Sequence, residues 1–186
     1  GGSMRRILAC FFALATALGA QDLEPASLGI QGRLSLPEGS FRDALGGLKG
    51  PALGLSLYGQ MDLGEGWRAR VALGSDLWTK GGGLPGEDRE IRAFHATVEA
   101  IYVLRDEGPH PVLGPYLVAG LGAYAWSLGA DITGTGETRR VTHAAGTVGF
   151  GWRIARNLEL EARFLGGRID PSLTAAVVMG AVNLRF

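Results

Sequence analysis

Apolar and polar side chains alternate one for one through most of this chain, and the alternation breaks into eight segments. In the first, about 27–36, Leu28, Ile30, Leu34 and Leu36 share a face opposite Gln31, Arg33 and Ser35. In the second, 51–63, Leu53, Leu55, Leu57, Met61 and Leu63 oppose Ser56, Tyr58, Gln60 and Asp62. The third, 67–78, sets Trp67, Ala69, Val71, Leu73 and Leu77 against Arg68, Arg70 and Asp76, and the fourth, 91–104, sets Phe94, Val98, Tyr102 and Leu104 against His95, Thr97 and Glu99. The fifth, "PYLVAGLGAYAWSL", has small residues on both faces and an ambiguous facing. The sixth (141–155) and seventh (158–168) alternate Val148, Phe150, Trp152, Ile154, Leu158, Leu160 and Phe164 with Thr147, Arg153, Glu159, Glu161 and Arg163. The eighth ends on Val182, Leu184 and Phe186, against Asn183 and Arg185. A period of two means strands with one apolar face. A helical template would place Glu159, Glu161 and Arg163 in the core.

The connections add topology. Those at about 37–49, 79–90 and 129–140 are long, polar and glycine-rich, whereas 64–66 and 156–157 are tight turns. The stretches at 106–112 and 169–173 are intermediate. In an up-and-down meander the long loops collect at one end, and the tight turns and both termini at the other. An even strand count with this asymmetry matches a membrane barrel. The expected fold is all-β, an eight-stranded antiparallel up-and-down transmembrane β-barrel.

Composition decides which face is outside. After residue 20 the only lysines are Lys49 and Lys80, both in predicted loops, although water-exposed sheets use lysine freely. The strands instead carry Arg33, Arg68, Arg70, Arg153, Arg163 and Arg185 against Asp62, Asp76, Glu99, Glu159 and Glu161. Six cations and five anions nearly cancel. The interior of an eight-stranded barrel is just wide enough to be filled by side chains. Arginine–carboxylate pairs suit such a lumen, because a lone buried charge would cost several kcal/mol. The expected lumen network is Arg33, Asp62, Arg68, Arg70, Glu99, Arg153, Glu159, Glu161, Arg163 and Arg185. Trp67, Trp78, Tyr102, Tyr116, Trp126 and Trp152 fall near predicted strand ends and are expected as aromatics at the membrane interface.

The net charge of +0 gives no reason to expect nucleic acid, and 31 glycines without a G-X-Y period exclude collagen. Residues 1–3 read as a cloning remnant or linker. Residues 4–20, "MRRILACFFALATALGA", have the charge, apolar run and small-residue exit of a secretory signal peptide. Residues 21–186 are then the barrel. Cys10, the single cysteine, goes with the leader, so no disulfide or thiolate chemistry is expected. No cofactor or metal site is expected either, since His110 and His143 lack neighbours at ligand spacing.

The leader, "PYLVAGLGAYAW", "VGFGWRIARNLELEARF" and the terminal "VNLRF" together resemble the small eight-stranded outer-membrane β-barrels of Gram-negative bacteria, the OmpA/OmpX/OmpW-like group. The resemblance covers residues 21–186. It implies export to the bacterial outer membrane, and contact there with outer-membrane lipids and lipopolysaccharide as a monomer. It also implies that Leu184 and Phe186 are read by the outer-membrane assembly machinery. Ala181 stands where the family's usual glycine precedes the terminal aromatic, with Gly180 one place early.

The leading expectation for function is a non-enzymatic barrel with a charge-plugged lumen, serving envelope integrity or surface recognition through its long loops. The alternative is an OmpW-like conduit for small hydrophobic molecules, which needs an apolar inner lining. The fifth strand is the one place in the sequence that could supply it. His95, Thr97 and Glu99 on one strand face suggest, more weakly, a lipid A-modifying hydrolase. Residues i and i+2 on a strand are about 7 Å apart, long for a hydrogen bond. A secreted soluble barrel of lipocalin type is the remaining alternative.

Overall fold

A computed structural model describes residues 26–46, 52–79, 90–104, 113–171 and 173–186. The proposed leader, Lys49, Lys80, Glu87, Asp88 and His110 lie outside the described residues. Over the described residues the chain runs β1 (Ser27–Pro37), α1 (Gly39–Ala44), β2 (Ala52–Gly64), β3 (Trp67–Thr79) and β4 (Glu90–Val103). It continues as β5 (Gly114–Leu128), α2 (Ala130–Thr133), β6 (Arg139–Ala155), β7 (Leu158–Arg168) and β8 (Thr174–Arg185).

The strands form one closed antiparallel barrel in chain order. Closure joins β1 to β8, with Ile30 opposite Leu184 and Gln31 opposite Asn183. The amide of Phe186 donates to the Leu28 carbonyl at 2.8 Å. Closure therefore leaves β8 no free edge, which is why that strand has interior character. The β2–β3 turn holds Glu65 and Gly66 at φ 53° and 80°, the positive pair that a two-residue type I′ hairpin requires. That turn, the β6–β7 turn at 156–157 and the chain end occupy one rim. The two short helices, neither expected from the sequence, lie at the other.

Outward positions are predominantly apolar on every strand. Leu53, Leu55 and Leu57 of β2 are 66%, 60% and 65% exposed. A belt of this kind is far larger than the few hundred Å² a water-soluble monomer tolerates, so the wall faces a bilayer. The facing of β5 is resolved: Tyr116, Val118, Tyr124, Trp126 and Leu128 point inward, and Leu117 and Leu121 outward. Ala119, Gly120, Gly122 and Ala123 had blurred the alternation.

The glycine excess has a spatial cause. Inward glycines stand directly across a strand pair from large inward side chains: Gly29 from Tyr58, Gly54 from Asp76, and Gly74 from His95. Gly120 faces Glu99, Gly149 faces Arg163 and Gly151 faces Tyr116 in the same way. A β-carbon at Gly120 would lie 2.8 Å from Glu99 Cγ, and one at Gly149 the same distance from Arg163 Cγ. A lumen this narrow holds one large side chain of each such pair.

Candidate functional site

The lumen is filled in tiers. Its centre is Arg70 of β3, fully buried. Arg70 Nη1 donates to Glu161 Oε1 at 2.8 Å and Nη2 to Glu159 Oε2 at 3.0 Å, while both Nε and Nη2 donate to Gln60 Oε1 at 3.1 Å. The guanidinium also stands 4.8 Å from the centre of the Tyr58 ring, in cation–π geometry. Arg163 binds Glu99 bidentately, at 2.6 and 2.9 Å, and its Nε donates to Glu161 Oε2 at 2.5 Å. Arg153 Nε donates to Glu159 Oε1 at 2.9 Å, and the Tyr116 hydroxyl to Glu161 Oε1 at 2.7 Å. Gln31 Nε2 completes the set on Glu161 Oε2 and on Asn183 Oδ1, the latter at 2.7 Å. Arg70, Arg153 and Arg163 balance Glu99, Glu159 and Glu161, and each carboxylate accepts from several donors. That saturation is the condition under which buried ions are tolerable.

Toward the helical rim the chemistry changes. Arg33 Nη2 lies 3.1 Å from Asp76 Oδ1 and 2.5 Å from His95 Nε2. The His95 ring stacks on Tyr124 at 5.1 Å, Tyr124 on Trp126 at 5.7 Å, and Trp126 on Trp78 at 5.8 Å. This ladder climbs into an apolar tier with Ile91, Leu165, Val177 and Met179. α1 closes it. Phe41 points into the barrel, edge-on to Trp78 at 5.2 Å and to Trp126 at 5.9 Å, and Leu45 beside it is likewise fully buried. The helix is tied to β8 through the Glu38 amide on the Ala176 carbonyl at 2.7 Å and the Thr174 amide on Ser40 Oγ at 3.3 Å.

Of the residues expected in one lumen network, Arg70, Glu99, Arg153, Glu159, Glu161 and Arg163 come together. Arg33 sits a tier above, with Asp76. Arg68 and Asp62 pair at 3.5 Å near the tight-turn rim, where Asp62 is partly exposed. Arg185 turns to that rim and donates to the Arg156 carbonyl at 2.7 Å. Gln31, Gln60, Tyr58 and Asn183 are polar members that charge counting missed, although strand parity marks them as inward; Tyr116, on the strand of ambiguous facing, joins them.

Three expected interface aromatics are corrected. Trp78, Tyr116 and Trp126 are 0%, 1% and 2% exposed and point into the lumen. Proximity to a strand end says nothing about facing. Trp78 is one residue out of phase with Leu77, and parity puts it on the arginine face. Trp67, Tyr102 and Trp152 do face outward, at 47%, 39% and 51% exposure, and the first two rings lie 4.8 Å apart. All three are near the tight-turn rim. The apolar lining expected, if anywhere, on the fifth strand is contributed by seven strands, β2 to β8, at the helical rim.

His95, Thr97 and Glu99 all face inward. Thr97 Oγ1 donates to Glu99 Oε1 at 3.5 Å, but His95 Nε2 is engaged with Arg33 and Asp76. No hydrogen bond joins the histidine to the Thr97 hydroxyl, and its Nδ1 has no partner among the described residues.

At the helical rim β6 continues past β7. β6 pairs with β5 up to Arg139, opposite Leu128, yet pairs with β7 only from Ala145 onward. The β5–β6 hairpin carries α2 at its tip. Thr133 Oγ1 donates there to the Glu137 carbonyl at 2.9 Å, and Arg139 reaches Asp170 at 3.1 Å.

No protein-family model and no curated protein matches the chain. Solved structures do match. The outer-membrane protein Ail of Yersinia pestis, in a phospholipid bilayer nanodisc, is 15% identical, with 87% of this chain and all 100% of that one covered, at a TM-score of 0.54. Neisserial surface protein A is 14% identical over 89% and 100% of the two chains, at 0.51. The N-terminal β-barrel domain of Pseudomonas aeruginosa OprF is 15% identical over 86% and 97%, at 0.50. With its outward apolar belt, closed eight-strand meander and ion-paired interior, this chain has the fold of the small eight-stranded outer-membrane β-barrels.

Proposed function

We propose that this protein is a non-enzymatic outer-membrane barrel whose lumen does not conduct, and that it acts at the cell surface through the structures on its helical rim. One observation carries the reading. The interior is occupied over its height, by the Arg70–Glu161–Arg163–Glu99 network in the middle and by Phe41 and Leu45 among tryptophans above it. A pore needs a continuous polar path, and a solute would have to displace saturated ion pairs worth several kcal/mol to make one. What remains accessible from outside is the braced β5–β6 hairpin and the loops. The outward aromatics Trp67, Tyr102 and Trp152 anchor the opposite rim at the membrane interface, and Leu184 and Phe186 serve as the assembly signal.

Two measurements test this. Heat-modifiable migration from a washed outer-membrane fraction is expected, together with planar-bilayer currents indistinguishable from the bare membrane. A steady open-channel conductance from the intact protein would sink the closed-lumen reading.

A second reading, a lateral conduit for small hydrophobic molecules, is favoured by one feature, the aromatic tier beneath α1. It requires α1 to swing out, and an apolar fluorophore should then gain access when α1 is displaced but not before.

A further inference from the structure

We propose that the outer wall formed by β4, β5 and β6 is a binding site for a phosphorylated, acylated lipid of the outer leaflet, a proposal that rests on the membrane-embedded reading above. The wall is not evenly convex. Two hollows lie on it, one above the other. The upper, about 610 Å³, is lined by Arg92, Phe94, Ala125, Ser127, Arg140 and Thr142. The lower, about 670 Å³, is lined by Val98, Ala100, Ala119, Leu121, Gly146 and Val148.

Register makes them one furrow. Arg92, Ser127 and Arg140 form the top cross-strand row. Phe94, Ala125 and Thr142 form the next, and Val98, Leu121 and Gly146 a lower one. The row between the two hollows is Ala96, Ala123 and Ala144, three methyl groups side by side, so no side chain divides them. From the Arg92 row to the Ala100 row the furrow follows eight residues of strand, about 26 Å. At a strand tilt of about 45° that descends roughly 19 Å, more than one leaflet of a hydrocarbon core about 30 Å thick.

The chemistry is graded along its length. The lower part is apolar and suits an acyl chain. At the top, Arg92 and Arg140 stand on either side of Ser127, two strand spacings or about 10 Å apart. Arg92 Nη2 holds Glu90 Oε1 at 2.7 Å, while Arg140 has no acidic partner among the described residues. Two guanidiniums against one carboxylate leave the site cationic. Guanidinium forks bind phosphate bidentately. The site lies toward the rim with the long loops, where outer-leaflet headgroups would be. A soluble anion would leave the apolar furrow below it unused, and a neutral lipid would leave the arginines unused. A phosphorylated lipid uses both.

The test is native mass spectrometry of the purified barrel in detergent, titrated with diphosphoryl lipid A or with phosphatidylcholine. The intact protein is expected to retain lipid A and to release phosphatidylcholine. The double variant R92Q/R140Q should bind lipid A roughly tenfold more weakly or worse, the loss of two charge-assisted contacts. Gly146→Leu should weaken it by filling the lower hollow. A β-carbon there meets only Leu121 Cδ2 at 3.5 Å and the Gly120 carbonyl at 3.7 Å, so the barrel itself accepts the change. Lipid A binding by R92Q/R140Q equal to the parent, equal retention of phosphatidylcholine, or displacement by inorganic phosphate alone would each overturn the lipid site. Heat-modifiable migration of each variant reports separately on the barrel. Its absence in the parent would overturn the membrane reading, and the site with it.

Discussion

Tyr116 fills the space that Gly151 leaves empty. The two are cross-strand partners on β5 and β6, and a β-carbon at position 151 would overlap the tyrosine ring. The ring is held there by its hydroxyl, 2.7 Å from Glu161 Oε1. The central ion network is therefore supported from the side by a glycine that touches no charge.

Gly151→Ala should cost about 1–3 kcal/mol, the usual penalty for overpacking a filled interior. Gly180→Ala is the matched control, since a β-carbon there meets nothing within 4 Å. It should stay within about 0.5 kcal/mol of the parent. Urea titration of the refolded barrel in micelles, followed by tryptophan fluorescence, compares the two. Equal midpoints would show that Tyr116 can vacate the site.

Glu161→Gln removes the carboxylate shared by Arg70 and Arg163 and leaves an uncompensated cation inside. The expected loss is about 3–5 kcal/mol. Replacing Arg163 by Met in the same chain restores the balance and should recover part of that loss. A double variant no more stable than Glu161→Gln alone would mean that the remaining charges re-pair without help.

Phe41→Ala deletes the plug beneath α1, at a cost of about 3–5 kcal/mol if the cavity stays open. Emission of Trp78 and Trp126 should shift to the red, and an apolar dye should gain access. Ion conductance should stay at baseline, because the Arg70 tier below is untouched. Conductance rising with dye access would make α1, and not the charge tier, the barrier to ions.

Phe186→Ala should leave the refolded barrel within about 1 kcal/mol of the parent. The backbone bond from residue 186 to Leu28 survives the substitution, and the ring itself is 76% exposed. In cells the same change should lower the amount of heat-modifiable protein in the outer membrane. Undiminished assembly would remove Phe186 from the recognition signal.

Strand parity, read from the sequence, determines the elements and the face of nearly every residue, because the backbone repeats every two residues whatever surrounds it. It separates Leu53, Leu55 and Leu57 from Ser56, Tyr58 and Gln60, and the scarcity of lysine indicates that the leucines face lipid. The same parity marks Trp78 as inward; weighing its nearness to a strand end instead produced the misplacement. Parity is silent on β5, where Ala119, Gly120, Gly122 and Ala123 erase the contrast between faces. Register and closure belong to the tertiary structure. Arg70 on β3 meets Glu161 on β7 across the lumen, 91 positions away, only once shear and tilt have aligned strands that never touch. The plug is of the same kind. Phe41 lies in a polar, glycine-flanked loop whose sequence has no strong helical period, and its burial is decided by the apolar tier that seven separate strands bring beneath it. Local chemistry settles which way a side chain points, whereas the partners it finds across a closed barrel depend on where every other strand has come to rest.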